Sequence, residues 1–426
     1  MKLDISIEDS NFMYNFIQDI IDKCGPRMPC SPQEQKAALM IKNEMDNVCD
    51  SSEIEKFHCN PHAFLGFIKV IIVLTLVSFI LFFLLSFNLP FYWTQGLTIT
   101  SFILNLLSLL ILWNEFFNYR EFIDPLFKSK ESQNVIGKFK PIGKLKKIII
   151  FSGHHDSALQ FNLLKVLKIG YPIIIFLGLI VLFIWFIISG LIFILSFVNL
   201  LVFQGFFVFT IVLFIIGVPA LIALFFFVSS GEKANKVPGA VDNLSAVGIV
   251  LGLGRYLQKN KHLIPNNTEI RLISFGCEEA GLRGAYRYVE RHIDELKEYN
   301  TECINMDAIQ TPQNISIINF EPSTRTKHSE IVVNKLIKAA ENAEINIKSS
   351  SLGGSGSFEK IFGQITGGTD ATAFSKSNVK AANISAMNLK KMLEFYHQPG
   401  DTPDKIEKGA LENVLKMCLN YIILKD

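Results

Sequence analysis

The chain has 426 residues, enough for two or three ordinary domains or for one large domain carrying insertions. Its formal charge of +2 is too close to neutral for bulk attraction to nucleic acid, and no nucleic-acid partner is expected. Only 19% of residues are charged, but the deficit is local: residues 70–114 and 169–231 contain no Asp, Glu, Lys or Arg, whereas the remainder carries about 25%, an ordinary globular share, so both a wholly soluble protein and a pure membrane bundle are excluded.

In chain order, residues 1–60 read as helical. Asn11–Cys24 has apolar residues at helical spacing, and Gly25–Pro32 is a loop. Ser31 then starts a second helix, Pro32–Val48, with proline at its first position and Glu34 in its first turn. No short apolar stretch follows a basic start in this segment, so no cleavable signal peptide is expected. The first charge-free stretch is long enough for two membrane helices, Phe64–Phe87 and Leu97–Trp113, broken at Asn88-Leu89-Pro90. The second would be about 95 Å long as one helix, roughly three bilayer cores. It is therefore expected to fold back as Tyr171–Leu195 and Gln204–Phe227, turning near Asn199–Gly205.

Between and after these stretches, short β-branched runs alternate with amphipathic helices. Lys147–Ser152, Glu269–Phe275, Cys303–Asn305 and Ala382–Ala386 read as buried strands. Val247–Gln258, Gly284–Tyr299, Glu330–Asn342 and Leu411–Ile423 read as helices. Such alternation predicts an α/β fold, a sheet covered on both faces, with sites gathered beyond the carboxyl ends of its strands. The polar segments 1–60, 115–168 and 231–426 then form one domain, and the insertions 64–113 and 169–230 must each leave and return on the same side as hairpins. Lys69, Arg120, Lys165, Lys168, Lys233 and Lys236 flank the polar-domain side, while the tips Asn88–Thr94 and Asn199–Gly205 carry no basic residue. The positive-inside rule predicts an integral membrane protein of four spans, its polar domain in the cytoplasm and the lipid bilayer its partner. Oligomeric state is not encoded in any of these features. Seven scattered cysteines show no metal-finger spacing. Cys24 and Cys30 could pair in an oxidising compartment, but reduced thiols suit a cytoplasmic domain better. Gly353–Ser357 reads as a flexible loop, since a phosphate cradle wants a strand before it and a helix after.

Polar groups gather where the apolar runs stop. They lie in Gly153-His154-His155-Asp156-Ser157, Gly239-Ala240-Val241-Asp242-Asn243, Cys277-Glu278-Glu279-Ala280-Gly281-Leu282, Asn305-Met306-Asp307, and Tyr396-His397 leading to Asp401-Thr402-Pro403-Asp404. Each alone is weak, because a lone histidine or a pair of glutamates more often faces water. On elements that should converge, histidine and carboxylate together make a hydrolytic ligand set suited to zinc, with manganese or cobalt as substitutes.

These segments resemble the signature of the co-catalytic di-zinc exopeptidases of metallopeptidase family twenty-eight: His-x-Asp-Ser, Gly-Ala-x-Asp-Asn, Glu-Glu-x-Gly-Leu-x-Gly, Asn-x-Asp, and Tyr-His followed by Asp-Thr. All occur here in order, with Gly284 closing the Glu-Glu motif. The resemblance covers the polar segments and neither hairpin. It implies a mixed sheet flanked by helices, of the zinc-exopeptidase, phosphorylase/hydrolase-like type, with four transmembrane helices inserted as two hairpins. It further implies two zinc ions held by His154, Asp242, Glu279, Asp307 and His397. Asp242 would bridge both ions, and Asp156 would orient the His154 ring. Glu278 would be the general base and Tyr396 the phenol that hydrogen-bonds the oxyanion, unless its ring merely packs beside His397. A cis peptide at Asp242–Asn243 is a further family trait. The implied activity is an aminopeptidase acting on peptides. Same-fold alternatives are a glutaminyl cyclase, a carboxypeptidase, or a catalytically silent membrane binding or scaffold module. The family often has histidine after the Asp of Gly367-Gly368-Thr369-Asp370, where this chain has Ala371, which leaves residue preference open.

Overall fold

The computed structural model describes residues 3–87, 89–197, 203–230, 234–352, 354 and 363–424. Asn88, Asn199, Lys233, and all of the Gly353–Ser357 segment except Gly354 lie outside the described residues. The chain divides into two compact units: residues 1–61, 129–160 and 230–426, and residues 62–128 and 161–229.

The first unit is built on one mixed sheet. Its strands are β1 (Ser51–Cys59), β2 (Lys130–Phe139), β3 (Lys147–His154), β4 (Thr268–Phe275), β5 (Glu302–Ile309), β6 (Ser316–Glu321), β7 (Thr326–Lys327), β8 (Lys348–Ser351) and β9 (Lys380–Ala386). The order is β1-β2-β4-β3-β5-β9-β6-β7, with β8 paired to β6. The four central strands β4, β3, β5 and β9 run parallel, and β1, β2, β6 and β7 join antiparallel. The parallel centre is the part that alternating strands and helices predict, and its side chains bury on both faces at period two. In β3, Ile149 and Phe151 pack under the helices Ile7–Cys24, Pro32–Val48, Ser245–Lys259 and Ala410–Ile423, while Ile148 and Ile150 face the helix Arg283–Glu298 and the short helix Ala371–Lys376. From β3 the chain reaches β4 on one side and β5 on the other, which makes the carboxyl end of β3 a topological switch point.

The N-terminal helices start as the sequence dictates. Ser6 Oγ accepts from the Asp9 amide at 3.0 Å, and Ser31 Oγ accepts from the Glu34 amide at 3.1 Å. Glu34 of that first turn is fully buried, accepting from the amides of Cys30 (2.8 Å) and Cys277 (3.1 Å) and from Ser132 Oγ (2.9 Å).

Among the described residues the second unit holds four helices long and apolar enough to cross a membrane: Ala63–Phe87, Phe91–Phe117, Tyr171–Ser196 and Phe206–Phe225. Large apolar side chains such as Ile80, Ile103, Ile173, Ile187 and Ile215 point outward, the surface a lipid phase would cover. Polar side chains turn inward. Asn105 Nδ2 donates to Ser78 Oγ (2.8 Å) and Ser189 Oγ (3.1 Å), and Trp185 Nε1 donates to the same Ser78 oxygen (2.9 Å). Small residues let the helices approach, and these bonds tie three of them together.

Candidate active site

Five segments at or beyond the carboxyl ends of the central strands carry the site. β3 ends at His154, whose Nε2 lies 3.2 Å from Asp242 Oδ1 and 3.7 Å from Glu278 Oε2. The other oxygen of Asp242 faces a second imidazole, with Oδ2 at 3.3 Å from His397 Nε2. His397 Nε2 is also 3.5 Å from Glu279 Oε1. One carboxylate therefore stands between two histidines 243 residues apart in sequence. Donor atoms of His154, Asp242 and Glu279 lie within 4.8 Å of one another, as do those of His154, Glu278 and Asp307. The structure thus brings together His154, Asp242, Glu278, Glu279, Asp307 and His397. Tyr396 stacks on the His397 ring, centroids 3.9 Å apart.

Local backbone explains how each group arrives. The Asp242–Asn243 peptide is cis. Asn243 Nδ2 donates to Met306 O (2.9 Å) and its Oδ1 accepts from the Ala308 amide (3.2 Å), so one amide side chain clamps β5 on either side of Asp307. At that point β5 shifts register and Ala308 adopts φ +57°. Such a bulge re-aims a strand-end side chain. Asp401 accepts from the amides of Val241 (2.8 Å) and Asp242 (3.2 Å). Arg27, fully buried, donates to the carbonyls of His155 (2.7 Å), Pro238 (2.7 Å) and Gly239 (3.1 Å), tying the β3 loop to the Asp242 loop.

Asp156 does more than face the His154 ring, which it does at 3.4 Å from Nδ1. Its two oxygens accept from the amides of Glu278 (3.1 Å) and Glu279 (3.0 Å), so one buried carboxylate holds up the turn that carries both glutamates. The turn closes with the Leu282 amide on Glu278 O (2.7 Å). Gly284 packs so tightly beneath that a Cβ there would meet Gly276 O at 2.1 Å, which is why this motif needs glycine. Asn243 and Asp401 stand inside the strand-end motifs, which mark their positions but not their supporting bonds, and Arg27 lies outside those motifs, its partners more than 120 residues away or two residues back.

Electrostatics follow from crowding. Burial pushes Glu278, Glu279 and Asp307 well above the ordinary carboxyl range, and neighbouring carboxylates add to it. Burial also raises Asp370 to about 7 and Asp401 to about 8. For Asp242 burial acts upward too, but hydrogen bonds from His154 and His397 outweigh it and hold the group below its usual range. Burial would depress His154, yet Glu278, Asp156 and Asp242 lift it well above an ordinary imidazole. Glu279 Oε1 is buried with no hydrogen-bond donor, and the same holds for both carboxylate oxygens of Asp370. Two imidazoles facing this many carboxylates leave negative charge uncompensated, and a dication is what such a donor set fits.

Residues 228–422 match the Peptidase family M28 model. The chain carries a peptidase family M28 domain. Aminopeptidase YwaD of Bacillus subtilis is 28% identical over 178 residues, a match covering 41% of this chain and 35% of that protein. The chain thus spans about a third of that relative's length. Among solved structures, the zinc aminopeptidase BSAP of Bacillus subtilis superposes with a TM-score of 0.53 at 14% identity, over 97% of this chain and 94% of that one. A glutaminyl cyclase of Fimbriiglobus ruber superposes with a TM-score of 0.54 at 11% identity, over 100% and 98%. At such identities these likenesses establish the fold: the M28 domain has the mixed, helix-flanked sheet of both enzymes. Four apolar helices accompany it, as the charge-free stretches predict.

Proposed function

We propose that the chain is a membrane-anchored di-zinc aminopeptidase, with its M28 domain in the cytoplasm. The observation that carries this reading is the two-sided Asp242 carboxylate, one oxygen facing His154 and the other facing His397. In this reading His154, Asp242 and Asp307 hold one zinc, and Asp242, Glu279 and His397 hold the other; manganese or cobalt would suit the same donors. The ions would polarise the scissile carbonyl and acidify the attacking water.

The remaining work falls to the chain's own groups. Glu278, beside the cluster and raised by burial, takes the proton from the attacking water and passes it to the leaving amine. Asp156 fixes where Glu278 stands through the two loop amides. Tyr396, braced on the His397 ring, donates to the oxygen that gains negative charge at the tetrahedral stage. Asp401 and Asn243 keep the Asp242 loop and Asp307 in register. The flanking Lys69, Arg120, Lys165, Lys168 and Lys236 favour a cytoplasmic domain.

Glutaminyl cyclases share the fold, so the fold alone does not choose between the activities. The pairing of His154 with His397 across one carboxylate favours the two-ion peptidase. The test is metal analysis of the purified protein together with a panel of amino-free and amino-blocked peptides. Release of free amino acids from amino-free peptides alone is expected. Cyclisation of N-terminal glutamine, internal cleavage or inactivity on every peptide would overturn the reading.

A further inference from the structure

Three cysteines meet behind the catalytic turn. Cys30 lies in the loop before the helix Pro32–Val48, Cys59 ends β1, and Cys277 follows β4. Cys30 Sγ is 3.4 Å from both Cys59 Sγ and Cys277 Sγ, and the last two are 3.5 Å apart. All three thiols are buried and free, and Phe57 and Ala280 enclose them. A fourth donor adjoins the triangle: Glu34 Oε1, on a fully buried side chain, lies 3.6 Å from Cys277 Sγ. Ligands of a tetrahedral zinc, with bonds of about 2.3 Å to sulfur and about 2.0 Å to oxygen, stand about 3.8 Å apart for two sulfurs and about 3.5 Å for sulfur and oxygen. The three sulfur–sulfur spacings, and that from Glu34 Oε1 to Cys277 Sγ, fall within about 0.4 Å of those values.

The backbone gives a second, independent observation. Cys277 adopts φ +55°, a left-handed conformation that costs a residue with a Cβ about 1–2 kcal/mol and costs glycine almost nothing. A thiol stands where backbone geometry alone would favour glycine, and its sulfur lies against two others.

We infer that Cys30, Cys59 and Cys277 form a three-thiolate structural zinc site, with Glu34 Oε1 beside Cys277, separate from the histidine–carboxylate cluster. The two donor sets differ in kind: three soft thiolates here, hard oxygen and imidazole there. Cys277 immediately precedes Glu278, and its amide donates to Glu34 Oε1 at 3.1 Å. An ion at this site would brace the turn bearing Glu278 and Glu279 through Cys277, beside the bonds from Asp156. The assignment stands on the thiol geometry and does not depend on the peptidase reading.

The test uses the full-length protein in detergent, reduced, stripped by a chelator and titrated anaerobically with cadmium. The probe is cadmium because its thiolate complexes absorb in the ultraviolet, whereas cadmium bound to imidazole and carboxylate lacks that charge-transfer band. The band should saturate at one equivalent and should disappear in Cys30→Ser and Cys59→Ser. It should persist in Cys418→Ser, another buried cysteine, and in Asp242→Ala, which removes a donor of the other cluster. The as-purified Cys59→Ser protein should also hold one fewer zinc per chain than the parent. Absence of the band in the parent protein overturns the inference and needs no variant to fold. So does a band that survives both cysteine changes, or a disulfide among the three thiols in the reduced-purified protein by mass spectrometry.

Discussion

Replacing Asp156 by alanine removes the one carboxylate that supports two backbone amides of the catalytic turn. The bonds to the Glu278 and Glu279 amides measure 3.1 and 3.0 Å, and Asp156 is fully buried. Hydrogen bonds to a charged group contribute about 1.5–3 kcal/mol each. Glu278 and Glu279 are partly exposed, so water can reach one side of the turn, and the lower end, about 3 kcal/mol in total, is the expected loss. The sheet-bearing unit has about 290 residues, and at about 2.1 cal/mol/K per residue its unfolding entropy is about 0.6 kcal/mol/K. The melting temperature of that unit should fall by about 5 °C. Asp156→Asn keeps one acceptor and should fall by about half as much. A misplacement of the turn near 1 Å costs on the order of 100-fold in rate, so kcat on the best amino-free peptide should drop by that factor while KM changes little. Calorimetry and steady-state kinetics read both quantities. An Asp156→Ala protein that melts and turns over like the parent would refute the assignment of this carboxylate as the support of the turn.

Glu278→Gln keeps the shape of the turn and removes the proton acceptor; kcat should fall by about 100- to 10,000-fold with zinc content unchanged, measured by kinetics and metal analysis on the same preparation. Chelator-stripped protein should lose stability as pH rises. Burial and mutual repulsion raise Glu278, Glu279 and Asp307 in the fold, so above about pH 4 the native state binds more protons than the unfolded chain, and the stabilisation is lost as pH climbs through the raised values. Zinc-reconstituted protein should show a flatter profile, and a stripped protein that melts higher with rising pH in that window would contradict the crowding argument. Changing Lys165, Lys168 and Lys236 to glutamine should weaken the cytoplasmic orientation, read as a larger fraction of domains exposed to external protease on sealed, inside-in vesicles; a wholly unchanged protection pattern would count against the charge rule here.

The interior of the sheet was legible because its strands bury both faces. Lys147–His154 holds the unbroken apolar run Ile148–Phe151, Thr268–Phe275 carries Ile270, Leu272, Ile273 and Phe275, and the helices Pro32–Val48 and Glu330–Asn342 begin and end where periodicity and capping residues place them. Strands β1 and β2 were not legible. In β2 the buried positions include Ser132, which donates to Glu34, and Asn134, which bonds Gly276 and Gly284, with Gln133 between them, so hydropathy gives no strand signal there. The second apolar helix starts at Phe91, before the apolar run at Leu97. Polar residues in its opening turns find partners, Thr94 buried and Gln95 donating to Ser196 O at 2.6 Å, while Phe91, Tyr92 and Trp93 stay exposed. The side chains that cluster between the two histidines were legible because each sits in a short motif at a strand end. Their supports were not: Arg27 reaches carbonyls more than 120 residues away, and the Cys30–Cys59–Cys277 triangle spans 247 residues without any motif spacing.

The central claim is that Asp242 stands between two cations. Crystals of the zinc-loaded protein, with anomalous scattering measured on either side of the zinc absorption edge, address it directly. The account predicts two separate peaks flanking the Asp242 carboxylate, one toward His154 and Asp307 and one toward His397 and Glu279. A single peak beside that carboxylate, or none, would contradict it.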